Sequence, residues 1–180
     1  PLAITRLQRA TRNSGAPATV KFIKGWLAEP VDPPRTPLWI WGAGHVGQAV
    51  VQIAAQLENF DITWVDTNPN RFPSEIPSNV TVVPAAEPAH LMLHVPIKAH
   101  HLIFTYSHAL DLALCDAALK RGFAFCGLIG SKSKWARFKN RLSALGHSNS
   151  TILKITCPIG EPNLGKQPIA IAIGVTQSLL

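Results

Sequence analysis

Long apolar runs are missing from this 180-residue chain. None approaches the ~20 consecutive apolar residues of a membrane span, so no segment reads as a transmembrane helix. The N-terminal residues include basic side chains but no signal-peptide apolar region. Cysteine is scarce. Cys115, Cys126 and Cys157 are odd in number and far apart, with no C-x-x-C pair and no zinc-ligand spacing. That excludes a disulfide framework and points to a reducing cytoplasm. No nucleophile–base pair stands at a known spacing and no metal-ligand cluster is present, so the chain shows no complete catalytic constellation.

Positive charge is unevenly supplied. Residues 36–119 hold two Lys/Arg against seven acids, whereas residues 1–35 hold six against two and residues 120–166 nine against one. The net charge of +7 is therefore concentrated toward the C-terminal part. A basic segment of this kind suits an anionic ligand or an acidic protein surface, or is a solvated helix face. Nucleic acid is poorly supported as a partner, because no aromatic-interleaved basic stripe or reading motif accompanies the charge.

The apolar fraction of 47% is enough for a core, and the length suits one domain of about 140 residues plus an extension. The sequence begins at Pro1 without Met and stops at Leu179-Leu180 inside an apolar helical pattern, so it reads as a fragment. Residues 1–35 are weakly patterned, with Arg6, Arg9 and Arg12 on one side of a short helix. The stretch Val31-Asp32-Pro33-Pro34-Arg35-Thr36-Pro37 predicts a stiff linker, since each proline fixes φ and lacks a donor. The boundary is placed there, between an extension (1–35) and a domain (36–180).

From Leu38 onward strands and helices alternate. Strands are expected at 38–41, 61–65, 80–83, 101–105 and 123–128. Helices are expected at 45–57, 109–121 and 131–145, with a helical turn or two over 88–94. Gly122 and Gly146 stop two of the helices. The pattern predicts an α/β, Rossmann-like, doubly wound parallel sheet with helices on both faces, whose ligands sit beyond the carboxyl ends of the strands.

The connection between the first strand and helix carries the spacing G-x-G-x-x-G as Gly42-Ala43-Gly44-His45-Val46-Gly47. Gly42 permits a tight turn, Gly44 lets a phosphate approach the main chain, and Gly47 lets helix and strand sit close. Free N–H groups and the helix dipole then face the phosphate. Asp66, 24 positions after Gly42, stands where such folds place the acid that accepts a ribose hydroxyl. The competing reading is a glycine-tightened turn with no ligand.

Three more segments end at the same side of the sheet. In Thr105-Tyr106-Ser107-His108-Ala109-Leu110-Asp111, Ser107 is a helix cap, and the spacing lets the Asp111 carboxylate orient the His108 imidazole for proton transfer or phosphate contact. In Gly127-Leu128-Ile129-Gly130-Ser131-Lys132-Ser133-Lys134, Gly130 and Ser131 open a helix, and Lys132 and Lys134 add mobile positive charge, for an anion or merely for the surface. In Ile155-Thr156-Cys157-Pro158-Ile159-Gly160, a Pro/Gly loop holds Cys157, which is either a soft-metal ligand or a structural thiol. Cys115 and Cys126 read as core.

These four motifs in order, ending with Cys157-Pro158-Ile159-Gly160, resemble the XdhC family over about residues 36–180. XdhC proteins are accessory proteins of xanthine dehydrogenase, related to the CoxI proteins of carbon monoxide dehydrogenase clusters. The resemblance implies binding of the molybdenum cofactor, a phosphate-bearing molybdopterin. It implies protection of that cofactor while a cysteine desulfurase helps place the terminal sulfur, and delivery to the molybdenum subunit of xanthine dehydrogenase. Such a protein is an insertion chaperone, not a turnover enzyme, and a homodimer is expected. The implied cofactor site comprises Gly42, Gly44, His45, Gly47, Asp66, Ser107, His108, Asp111, Gly130, Ser131, Lys132 and Lys134, with Cys157 as candidate molybdenum contact. The chain departs from the family in one respect: residues 1–35 lack the Gly-rich, Cys-containing segment usual in the N-terminal module. Two alternatives stand beside this reading. One is an NAD(P)-dependent oxidoreductase with the ribose on Asp66 and His108 as proton donor. The other is an interaction module that docks an acidic partner on the basic helix.

Overall fold

A computed structural model describes residues 2–14, 20–29 and 34–180. Residues 31–33 of the expected linker and the side chain of Arg12 lie outside the described residues. The chain divides into two compact units, Pro1–Pro34 and Arg35–Leu180. The first holds α1 (Leu2–Ser14), on which Arg6 and Arg9 are exposed, and an antiparallel hairpin of β1 (Lys21–Ile23) and β2 (Trp26–Ala28). Lys24 (φ 49°) and Gly25 (φ 82°) turn that hairpin. Two successive left-handed residues are what a two-residue hairpin turn demands.

The second unit runs β3 (Thr36–Trp41), α2 (His45–Ala54), β4 (Phe60–Asp66), β5 (Val80–Pro84), α3 (Pro88–Leu91), β6 (His100–Ile103), α4 (His108–Arg121), β7 (Phe125–Leu128), α5 (Lys132–Ala144), α6 (Asn149–Ile152), β8 (Ile155–Thr156) and α7 (Pro168–Gln177). The six strands form one parallel sheet in the order β5-β4-β3-β6-β7-β8. The chain builds outward from β3 to one edge, returns beside β3 as β6, and builds to the other edge. The reversal between β3 and β6 is the switch point at which open α/β sheets hold ligands.

Strand alternation sorts the apolar side chains into two cores. Leu38, Ile40, Ile62, Trp64 and Leu102 face α2 and α7, where they meet Val50, Ala54, Ala172 and Val175. Trp41, Val65, Ile103, Cys126 and Leu128 face the other way, onto Leu114, Cys115, Trp135, Phe138 and Leu142. Both faces are covered, as a parallel sheet requires. Cys115 and Cys126 lie in this second core as free thiols.

Some boundaries differ from the sequence reading. The first helix ends at Ala54 rather than 57, because Gln56 N–H turns back to the Ile53 carbonyl in a tighter bond. The loop expected at Ile155–Gly160 begins with β8, which pairs with Cys126 and Gly127. Strands of two or three residues are too short to show a period, which is why β8 and the hairpin were not legible. Among the described residues no helix is long and apolar enough to cross a membrane.

His101 is fully buried in β6, where its Nδ1 accepts from the Trp41 indole at 3.2 Å and its Nε2 has no partner among the described residues. Burial, assisted by His100, lowers its pKa to about 4. The folded value lies below the ordinary 6.5, so the unfolded chain takes up the proton first as pH falls. The stability linked to this group is complete above pH 6.5 and is lost between 6.5 and 4, amounting to about 3 kcal/mol. Urea midpoints measured over that interval should fall steeply in the native chain, and His101→Phe should flatten the slope.

Candidate functional site

The three glycines of the turn are not equivalent. Gly42 follows β3 with φ 115°, and a Cβ there would lie 2.5 Å from the Phe104 carbonyl oxygen. A Cβ on Gly47 would strike the Gly42 carbonyl oxygen, which already accepts from the Trp64 indole at 3.0 Å. The fold itself demands both. Gly44 has ordinary extended backbone (φ −75°, ψ −179°), and a Cβ would meet nothing nearer than Arg71 Nη2 at 3.9 Å. Among the described residues, no atom fills the space that a Cβ would take there. Gly44 is also the N-cap of α2, which lacks a side-chain cap, whereas Ser107, Ser131 and Ser148 cap α4, α5 and α6. The α2 N-terminus thus presents uncapped amides beside an open surface, with His45 exposed next to it.

Asp66 holds the turn in place. It is 4% exposed, and its Oδ2 accepts the Ala43 N–H at 2.6 Å and pairs with Arg71 Nε at 3.2 Å. Its Oδ1 receives longer bonds from the Thr67 hydroxyl (3.3 Å) and the Asn68 N–H (3.4 Å). Expected as a ribose acceptor, the carboxylate is engaged on both oxygens by the protein. Arg71 lies over the Tyr106 ring, with its guanidinium carbon 4.4 Å from the centroid. The Gln48 side-chain amide donates to the carbonyls of Ala43 (3.1 Å) and Arg71 (3.4 Å), tying the same two loops.

Sequence reasoning missed Arg71 and did not single out Tyr106. Arg71 ends a 3-10 turn (Pro69–Arg71) in a proline-broken connection with no periodicity. The available signal was an arginine five residues past the acid that ends β4, where Rossmann sites read phosphate.

The motifs after β6 and β7 meet in a buried ion pair. Lys134 Nζ lies 2.5 Å from Asp111 Oδ2, with side chains 8% and 1% exposed, and also donates to the Ile129 carbonyl at 2.9 Å. Asp111 Oδ1 accepts from the Thr105 hydroxyl (2.6 Å) and the Thr105 N–H (3.1 Å). Lys134, expected to be mobile, is pinned, and Asp111 orients Lys134 and Thr105 rather than His108. His108 is exposed and meets Phe138 edge-on. A Cβ on Gly130 would lie 2.7 Å from Lys134 Cδ, so this glycine makes room for the inward-folded lysine. Lys132 stays exposed at the start of α5.

Cys157 is half-buried, and burial pushes its thiol up to about 11, against a downward pull from Lys134 and an upward push from Asp111. It is protonated at neutral pH. Among the described residues no group of three or more His, Cys, Asp or Glu could hold a metal ion. Gly42, Asp66, Thr67, Thr105 and Leu110 share a crevice at the switch point, with room for a water-sized sphere over about 10 Å³.

This geometry defines a doubly wound, Rossmann-like domain with a glycine turn and an uncapped helix start at the switch point. Residues 38–178 match the XdhC Rossmann domain, and the chain belongs to that family. It is 29% identical over 152 residues to the uncharacterized protein YqeB of Escherichia coli K12, covering 81% of this chain and 27% of that protein. A crystal structure described as a xanthine dehydrogenase from Bacillus halodurans superposes with a TM-score of 0.67 at 22% identity, over 81% of this chain and 42% of that one. The likeness to that structure is one of fold. The chain spans about a quarter of the first relative and under half of the second.

Removing one member of the buried pair leaves the other charge uncompensated. Lys134→Met should cost about 3–5 kcal/mol in urea unfolding, and combining it with Asp111→Leu should recover part of that loss.

Proposed function

We propose that this domain belongs to an accessory protein of xanthine dehydrogenase and holds the molybdenum cofactor through its phosphate, for sulfuration with a cysteine desulfurase and for delivery to the enzyme's molybdenum subunit. Membership of the XdhC family supports the role. The observation that carries the site is Gly44, whose Cβ position is open space, at an uncapped helix N-terminus. A phosphate seated there would take the free amides of α2 and the helix dipole. Arg71 would balance its charge, and the side-chain-free surface of Gly44 would permit close approach. The cofactor itself would supply the metal and its sulfur ligands. Exposed Arg137 and Arg141, one turn apart, give α5 a positive face for an acidic partner surface.

The NAD(P)-dependent oxidoreductase reading is less well supported. Asp66 is engaged with Ala43 and Arg71, and His108 lacks the carboxylate that was to orient it. Among the described residues no catalytic group stands in a defined role, which favours holding over turnover for this domain.

Gly44→Ser separates site from fold, because its Cβ meets nothing nearer than Arg71 Nη2 at 3.9 Å and serine is a good N-cap whose hydroxyl would occupy the free amides. The variant should melt within about 2 °C of the native chain yet bind the free cofactor at least about tenfold more weakly in an anaerobic fluorescence titration. Equal binding by both proteins, or a larger thermal shift with NAD or NADP than with the cofactor, would overturn the proposal.

A further inference from the structure

We infer that Arg71 is the specificity-determining residue of this site and that it selects a ligand carrying a terminal phosphate monoester. The inference rests on the cofactor-holding reading and adds which group of the ligand is read, and by what. Asp66 cannot read a ribose, because Ala43 N–H and Arg71 occupy its Oδ2 and the Thr67–Asn68 turn its Oδ1. The same carboxylate fixes the base of the arginine side chain. Arg71 Nε sits 3.2 Å from Asp66 Oδ2 but misses the hydrogen-bonding angle, so the contact is an ion pair and not a hydrogen bond. Among the described residues, no guanidinium hydrogen of Arg71 makes a hydrogen bond within the chain.

The guanidinium is nevertheless held from two sides. Asp66 anchors Nε, and Tyr106 supports the flat face at 4.4 Å. Nη2 is the atom closest to the open position above Gly44, and the side chain is 33% exposed, so its free edge reaches solvent at the mouth. A preorganised planar fork of unused donors matches the oxygens of a dianionic phosphate and has little to offer a neutral hydroxyl. Lysine would supply the charge but neither the fork nor the stacking.

The test uses the whole chain and two probes: molybdenum cofactor released anaerobically from a molybdoenzyme, and the same material after phosphatase treatment. The native chain should bind the phosphorylated probe at least about tenfold more tightly than the dephosphorylated one. Arg71→Gln, with folding checked by circular dichroism, should erase that preference while leaving affinity for the dephosphorylated probe within about twofold. Tyr106→Leu, at a residue 63% exposed and so safe for folding, should weaken the preference about threefold. If the native chain prefers the phosphorylated probe and Arg71→Gln keeps that preference, the role of Arg71 is overturned while the cofactor-holding reading stands. Equal binding of the two probes by the native chain would overturn both the role of Arg71 and the reading that the cofactor is held through its phosphate. If the native chain binds neither probe, both proposals fall.

Discussion

The site depends on one hydrogen bond, the 2.6 Å contact between the Ala43 N–H and the Asp66 carboxylate. Ala43 lies just past β3 and Asp66 at the end of β4. The contact therefore sets where the glycine turn leaves the sheet and how α2 is aimed. Charged acceptors bind backbone donors more strongly than neutral ones, and here both partners are buried. The same carboxylate then fixes Arg71, so the turn and its nearest cation are positioned by a single side chain. An acid that reads ribose in other nucleotide-binding folds is here part of the scaffold. The carboxylate is paired with Arg71 Nε, and the far edge of the same guanidinium is left toward the open position beside Gly44.

A second internal neutralisation governs the other half of the crevice. Asp111 and Lys134 begin α4 and α5, and their contact locks the two helix starts together beneath the loops after β6 and β7. Burying such a pair gives little net stability over an apolar pair, but breaking it is costly, so it specifies one arrangement. Thr105 completes the carboxylate's bonding, and the serine caps leave few donors over for a ligand on this side. The two halves therefore divide the work. The α2 side leaves amides and a guanidinium unspent, and the α4–α5 side spends its polar groups on itself.

Much of the fold was legible in the sequence because its physical causes are local. The continuous apolar run Leu38-Trp39-Ile40-Trp41 and the period-3.6 recurrence in Val46, Val50 and Ala54 correspond to core positions directly. The glycine turn and the cap serines were legible because they act on their neighbours in the chain. What was not legible acts across distance. Asp66 on Ala43 and Lys134 on Asp111 each bridge 23 residues, and no spacing rule says which carboxylate an inward-folded lysine will find. His108 at i, i+3 from Asp111 looked like the partner because sequence shows proximity along a helix but not the residue arriving from the next helix.

The glycines show the limit of a motif most clearly. Gly42, Gly44 and Gly47 are one pattern on paper, and the same three letters would appear in a turn that binds nothing. Their neighbours separate them. Two of the glycines have backbone oxygens where a side chain would go, and the third has open space and an arginine at its edge. Contact explains the first two by packing, whereas at Gly44 only the mild preference of an N-cap for glycine acts from within, and the space beside it is open. The case for a ligand therefore rests on Gly44 alone within the turn, and its two companions would be glycine whether or not anything binds.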